Sequence, residues 1–335
     1  MRAGRALVAA SLIAALAGGG SWLGWTAVAQ EFAGRIAAWE QAQRAEGLVL
    51  AHGAPVLSGF PARWQAALSA PQIGRPGGEG SWRWRGPELH LTWRALDPER
   101  VRISAPGAHS FELALARGLA VVSLGARAAD AALWRATDGE HLAASFSGAA
   151  LDARALGFAF EAQSVAVATT RRPDALLAVV AAERLVATSG LDSPLGREVA
   201  RLDLELELHG PLDLSAPPRA GLEAFQAAGG SLALKRLDLA WGPLRLMAKG
   251  TLDLDPELRP RGLLTARVQG LSEAIARFEA AGALPPNRAN ALKFAAALVT
   301  KPNGDGRPEA ELPLNLEGGT VFLGPVALVQ LRPLY

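Results

Sequence analysis

Leu202, Leu204, Leu206 and Leu208 stand at every second position, interleaved with Asp203, Glu205, Glu207 and His209. Successive side chains of an extended strand point to opposite faces, so this spacing gathers the leucines on one face and the charges on the other. A helix would scatter them around its surface. The same period of two returns at Leu232 and Leu234, at Leu237, Leu239 and Trp241, at Leu244 and Leu246, at Leu252 and Leu254, and at Leu312, Leu314 and Leu316. Turns such as Gly242-Pro243 separate the runs. The pattern predicts a mainly β chain with a few helices: antiparallel strands in a curved sheet, of α+β class.

The N-terminal half carries shorter strands of the same kind. Ser81-Trp82-Arg83-Trp84-Arg85 puts Trp82 and Trp84 on one face, and Leu89, Leu91 and Trp93 repeat the pattern after Gly86-Pro87. Further strands are expected at 119–124, 141–146, 158–160 and 165–169. Residues 174–188 are alanine-rich and fit either helix or strand. Helices are expected at 217–228, between a Pro-Pro and a Gly-Gly pair, at 272–281 with Ser272 as N-cap, and at 286–300.

Residues 6–29 carry no charge and follow Arg2 and Arg5. As a helix they would extend about 36 Å, enough to cross a hydrocarbon core of about 30 Å. Residues 1–29 are therefore expected to form a single membrane span, with the basic end in the cytoplasm and the remainder exported. Ala27-Val28-Ala29 also fits a signal-peptidase site, and a cleaved signal exports the same remainder. Phe32, Ile36 and Trp39 then recur at near-helical spacing, which predicts an amphipathic helix over 30–46 ending at Gly47. An N-terminal β-rich part, 47–190, and a C-terminal β-rich part with helices, 191–335, follow.

Half of the 335 residues are hydrophobic, so a sizeable core is available. There is no cysteine, which excludes disulfides, thiol catalysis and cysteine-bound metals. The five histidines show no metal-ligand spacing, and no nucleophile elbow, phosphate loop or dinucleotide fingerprint is present. A formal charge of +2 without a basic run gives no footprint for nucleic acid. No catalytic residue, cofactor or metal is expected, and the chain reads as a non-enzyme. Asp203, Glu205 and Glu207 share one strand face about 7 Å apart, loosely the spacing of glycosidase carboxylates. A solvated row that also contains Arg201 is the simpler reading. Trp82, Trp84 and Trp93, with Leu202, Leu204, Leu206 and Leu208, are the candidates for lining an apolar groove.

Gly59-Phe60-Pro61-Ala62-Arg63, Gly242-Pro243-Leu244-Arg245-Leu246, Gly250-Thr251-Leu252 and Leu312-Pro313-Leu314 together resemble a proteobacterial membrane-anchored family classed as a domain of unknown function. Gly318-Gly319 and Leu323-Gly324-Pro325 add to the likeness. In that family a Gly-Phe-Pro-x-Arg motif, here Gly59, Phe60, Pro61 and Arg63, ends a strand after the amphipathic helix. The C-terminal strand pattern is also similar to AsmA-like envelope proteins, which implies an inner-membrane anchor, a periplasmic sheet and an apolar groove linked to lipid movement. The expectation is a single-pass protein of the bacterial inner membrane, with the bulk of the chain periplasmic, that binds lipid or supports envelope assembly. A scaffold that binds other envelope proteins is the alternative.

Overall fold

A computed structural model of the protein describes residues 25–330, except 27, 32, 61–62, 79, 95–96, 116–117, 191, 212–217 and 324–325. The expected membrane span falls mostly on residues 1–24, outside the described residues. Among the described residues, no helix is long and apolar enough to cross a membrane.

Helix α1 takes in the described residues from 25 to 45, and Gly47 follows it in the left-handed region. Short strands come next: β1 (Val49–Ala51), β2 (Val56–Ser58), β3 (Arg63–Leu68), β4 (Gln72–Arg75), β5 (Trp82–Arg85), β6 (Leu89–Arg94) and β7 (Asp97–Ser104). They lengthen through β8 (Gly107–Leu115), β9 (Gly118–Ala126), β10 (Ala128–Ala136), β11 (Gly139–Ala153), β12 (Phe158–Arg171), β13 (Ala175–Ser189) and β14 (Glu198–His209). After helix α2 (Pro218–Ala227) come β15 (Ser231–Trp241), β16 (Leu244–Leu254) and β17 (Pro260–Gln269). Helices α3 (Leu271–Ala280) and α4 (Pro286–Val299) precede β18 (Thr300–Pro302), β19 (Pro308–Glu317), β20 (Thr320–Leu323) and β21 (Val326–Gln330).

The fold is mainly β, an open, curved antiparallel sheet. From β11 to β17 each strand pairs with the next, and β17 passes the ladder to β19, β20 and β21. Residues 174–188 resolve as strand β13, hydrogen-bonded along its length by β12 and β14. Extra residues at Val199/Arg201 and Leu234/Leu237 shift the register, and such bulges bend and twist a sheet.

The N-terminal end forks at β11. Its residues Gly139–Ser147 pair with β10, and Ala150–Asp152 pair with β9. One arm continues β10, β7, β6, β3, β2; the other continues β9, β8, β5, β4, β1. The chain crosses between arms at each successive hairpin, so neither arm is a separable unit. Helix α1 joins their outer ends. Trp25 donates its indole N–H to the Arg63 carbonyl, and Trp64 donates its own to the Trp25 carbonyl (3.0 and 3.1 Å). Arg35 lies over the Trp93 ring of β6, and Glu40 meets His52, between β1 and β2, at 2.5 Å.

One local detail differs from expectation. Helix α3 begins at Leu271, with Gly270 as its N-cap in the left-handed region and no side-chain cap, so Ser272 lies inside the first turn.

Candidate functional site

The register carries the leucine alternation across the sheet. Leu204 stands opposite Leu237, which stands opposite Ala248, then Ala266 and Leu312. The Leu206 row continues through Leu234, Gly250, Leu264 and Leu314. Leu202 and Leu208 head two more rows of the same composition, and Leu176, Ala178, Val180 and Ala182 extend all four onto β13. Directly opposed residues share a face, so these rows make one apolar surface. Six strands at about 4.8 Å and four rows at about 6.6 Å give it on the order of 25 by 20 Å.

Gly250 interrupts the leucines for a steric reason. Its φ of +156° favours glycine, and a Cβ there would lie 2.2 Å from the Leu263 carbonyl oxygen and 2.8 Å from Cδ2 of Leu264. The missing side chain lets β16 and β17 approach and lets Leu264 lie across the gap.

Among the described residues no helix or second sheet packs over this surface, although Leu234, Ala248, Ala266 and Leu312 at its centre are buried among their strand neighbours. Its packed cluster, centred on Leu234, Ala248 and Ala266, contains strand residues alone, and Leu202, Leu204, Leu206 and Leu208 all stay half-buried. Ile275, Ala289 and Ala296 of α3 and α4 form a separate cluster with Leu271 and Leu284. These helices stand at the strand ends where β17 finishes, while α2 joins β14 to β15 at the opposite ends. No large side chain of the described residues is fully buried, and the accessible surface is 19960 Å² against roughly 13,000 Å² for a compact monomer of this mass. At about 500 Å² its extent matches the roughly 300–600 Å² of the largest apolar patch on a typical monomer, which is often functional.

The opposite face is charged. Arg201 holds Asp203 at 2.5 Å, and Lys235 holds Glu207 at 2.7 Å. The Lys235 ammonium keeps the Glu207 carboxyl below its usual range, which makes it a fixed anion and not a proton donor. Asp203 faces Asp238 across β14 and β15 with Arg201 alongside. Among the described residues no group of three metal-ligating side chains occurs.

The seven groove candidates are not brought to one place. Leu202, Leu204, Leu206 and Leu208 lie centrally on β14. Trp93 packs against Trp64 (centroids 5.1 Å apart) beneath α1. Trp82 and Trp84 sit on β5 in the other arm, where Trp84 stacks on buried His109 and registers with Ile73 and Phe111. Burial pushes the His109 imidazole down, and its N–H bond to the Ala105 carbonyl satisfies it as a neutral ring. The Gly-Phe-Pro-x-Arg motif links β2 to β3. Gly59 adopts φ +103°, where a Cβ would meet the Arg63 carbonyl at 2.8 Å, and Phe60 packs edge-on against Trp25. Pro61 lies outside the described residues. Trp64, which joins α1 to the sheet, was not among the sequence candidates; its signal was the alternation in β3, whose burial runs strictly exposed, buried, partly buried, buried.

Residues 25–332 match the model of a family described as an uncharacterized protein conserved in bacteria (DUF2125). The chain belongs to that family. Neither a curated protein nor a solved structure matches it. For this member of DUF2125, function is therefore argued from the open leucine face.

Proposed function

We propose that the chain is anchored in the bacterial inner membrane by residues 1–29 and that its sheet, on the periplasmic side, holds lipid acyl chains on the leucine face. The reading is of a binding protein, without catalysis, cofactor or nucleic-acid partner. One observation carries it: four leucine rows run across β13 to β19 with no protein layer over them among the described residues. A one-layer sheet must cover its apolar face with something, and acyl chains match the chemistry of a surface formed from Leu, Val, Ala and Gly. Continuity with the uncharged segment 6–29 supports lipid as the occupant, since Trp25 of that segment is hydrogen-bonded to β3. The likeness of the strand pattern to AsmA-like envelope proteins supports the same reading.

The test is native mass spectrometry of the full chain extracted in mild detergent. Bound phospholipid is expected, and Leu204→Glu with Leu237→Glu, two residues directly opposed in the middle rows, is expected to abolish it. Lipid retained by the double variant, or absent from the parent chain, overturns the reading.

A second reading, a scaffold for other envelope proteins, has its own observation. Phe294 and Leu298 of α4 are 68% and 69% exposed, one helical turn apart, and form an apolar stripe facing away from the helix pair. In-cell crosslinking from position 294 that recovers a protein neighbour would favour it over lipid binding.

A further inference from the structure

On the polar face of the first arm, three arginines line one trough, and none of them forms an ion pair among the described residues. Arg63 and Arg94 stand directly opposite each other across β3 and β6. Arg102 of β7 stands opposite Thr92, two residues from Arg94 and on the same face. All three line an open trough of ≈ 690 Å³ whose floor is built from alanines of β10 to β13. Like charges placed directly opposite on a sheet destabilise it. Ordinarily a carboxylate relieves them, and here none does: among the described residues none of the three makes an ion pair. Asp97 stands opposite Arg94 across β6 and β7 but pairs with Arg100 (3.8 Å), whose guanidinium lies 4.3 Å over Trp134. Asp130 reaches the same trough at its far side and pairs with none of them. His90, on the trough wall, contacts Gln65 and Glu88.

We infer that Arg63, Arg94 and Arg102 bind a phosphate group, carried either by a lipid headgroup or by a small soluble molecule. Guanidinium groups offer paired N–H donors matched to phosphate oxygens, and a divalent or monovalent oxyanion between opposed arginines turns their repulsion into attraction. The position suits a headgroup. The Arg63 carbonyl accepts the Trp25 indole N–H, so the trough opens beside a residue of the uncharged N-terminal segment. It also gives the Gly-Phe-Pro-x-Arg motif a purpose: the turn at Gly59 and the Phe60–Trp25 contact fix where β3 starts, and so where Arg63 projects. The inference does not rest on the leucine rows, which lie on the opposite face of the sheet.

The experiment follows thermal unfolding of the full chain in detergent, titrated separately with inorganic phosphate, short-chain phosphatidylglycerol and short-chain phosphatidylcholine. A rise of several degrees with inorganic phosphate, lost in Arg63→Gln/Arg94→Gln, supports the site with a soluble phosphate as its source. A rise with phosphatidylglycerol but not with phosphate or phosphatidylcholine, again lost in the double variant, assigns it to a headgroup. In phosphate-free buffer the double variant is expected to be at least as stable as the parent, because it removes an opposed like-charge pair; a purely structural role would give the reverse. No arginine-dependent shift with any of the three ligands overturns the proposal, and leaves acyl binding on the leucine face untouched.

Discussion

In the forked N-terminal end, Trp64, Ala66 and Leu68 of β3 are 8%, 0% and 7% exposed, whereas Leu202, Leu204, Leu206 and Leu208 of β14 are only partly buried. The two regions have the same alternation and the same antiparallel pairing. They differ in what lies above the apolar face. At the fork the chain passes back and forth between two arms, and α1 lies along their outer ends through Trp25, Arg35 and Glu40. From β12 to β17 each hairpin adds a strand to the same layer, and the intervening helices sit at the strand ends. Amphipathic strands specify a face to be covered, and topology decides whether the protein itself covers it.

Substitutions can break that comparison. The largest effect is expected for Trp64→Ala, about 3–5 kcal/mol, since it removes a buried indole, its contact with Trp93 and its bond to the Trp25 carbonyl. Urea unfolding followed by circular dichroism measures it, and limited proteolysis between α1 and β1 should accelerate in the same variant. Gly250→Ala should cost about 1–3 kcal/mol, through a backbone conformation that alanine rarely adopts and a clash with the Leu263 carbonyl. Leu237→Ala in the open rows should cost only about 1 kcal/mol, as expected for a side chain that gives up part of its burial. A loss of 2–5 kcal/mol, the usual range for a filled core, would show the leucine face to be shielded and would erase the distinction.

The smallest effect concerns the tie between α1 and the β1–β2 connection. His52 is held above its usual value, first by the Gly53 carbonyl and then by Glu40. Burial pushes Glu40 up, but the hydrogen bond and charge of His52, then those of Arg44, outweigh it and hold the carboxyl low. The His52 contribution is complete below about pH 6.5 and fades as pH rises through its raised folded value. The Glu40 contribution is complete above about pH 4.5 and fades as pH falls through its lowered one. Protection factors of the α1 amides, corrected for the intrinsic base-catalysed exchange rate, should therefore be highest in mildly acidic solution and fall toward pH 8, and His52→Gln should remove the alkaline fall.

Much of the sheet was legible in the sequence because a period of two is a local property. Leu202 to Leu208 declare their strand and its faces within seven residues, and the Pro and Gly brackets declare α2 and α4. Residues 174–188 were not decided locally, since alanine permits helix and strand alike; pairing on both edges chose strand. Neither the fork at β11 nor the meeting of Arg63 with Arg94 has any signature in spacing, because both depend on which distant strands pair. The same limit applies to Trp82, Trp84 and Trp93. Alternation placed each on the right kind of face, and the crossing between arms separated them.

The most direct test of the open face compares two adjacent residues. A photoreactive benzoylphenylalanine is placed in turn at Leu206, on the apolar face, and at Glu205, on the charged face, and irradiated in intact bacteria. Phospholipid acyl adducts at position 206 and none at position 205 are the result this account expects. No lipid adduct at 206, or equal adducts at both positions, would contradict it.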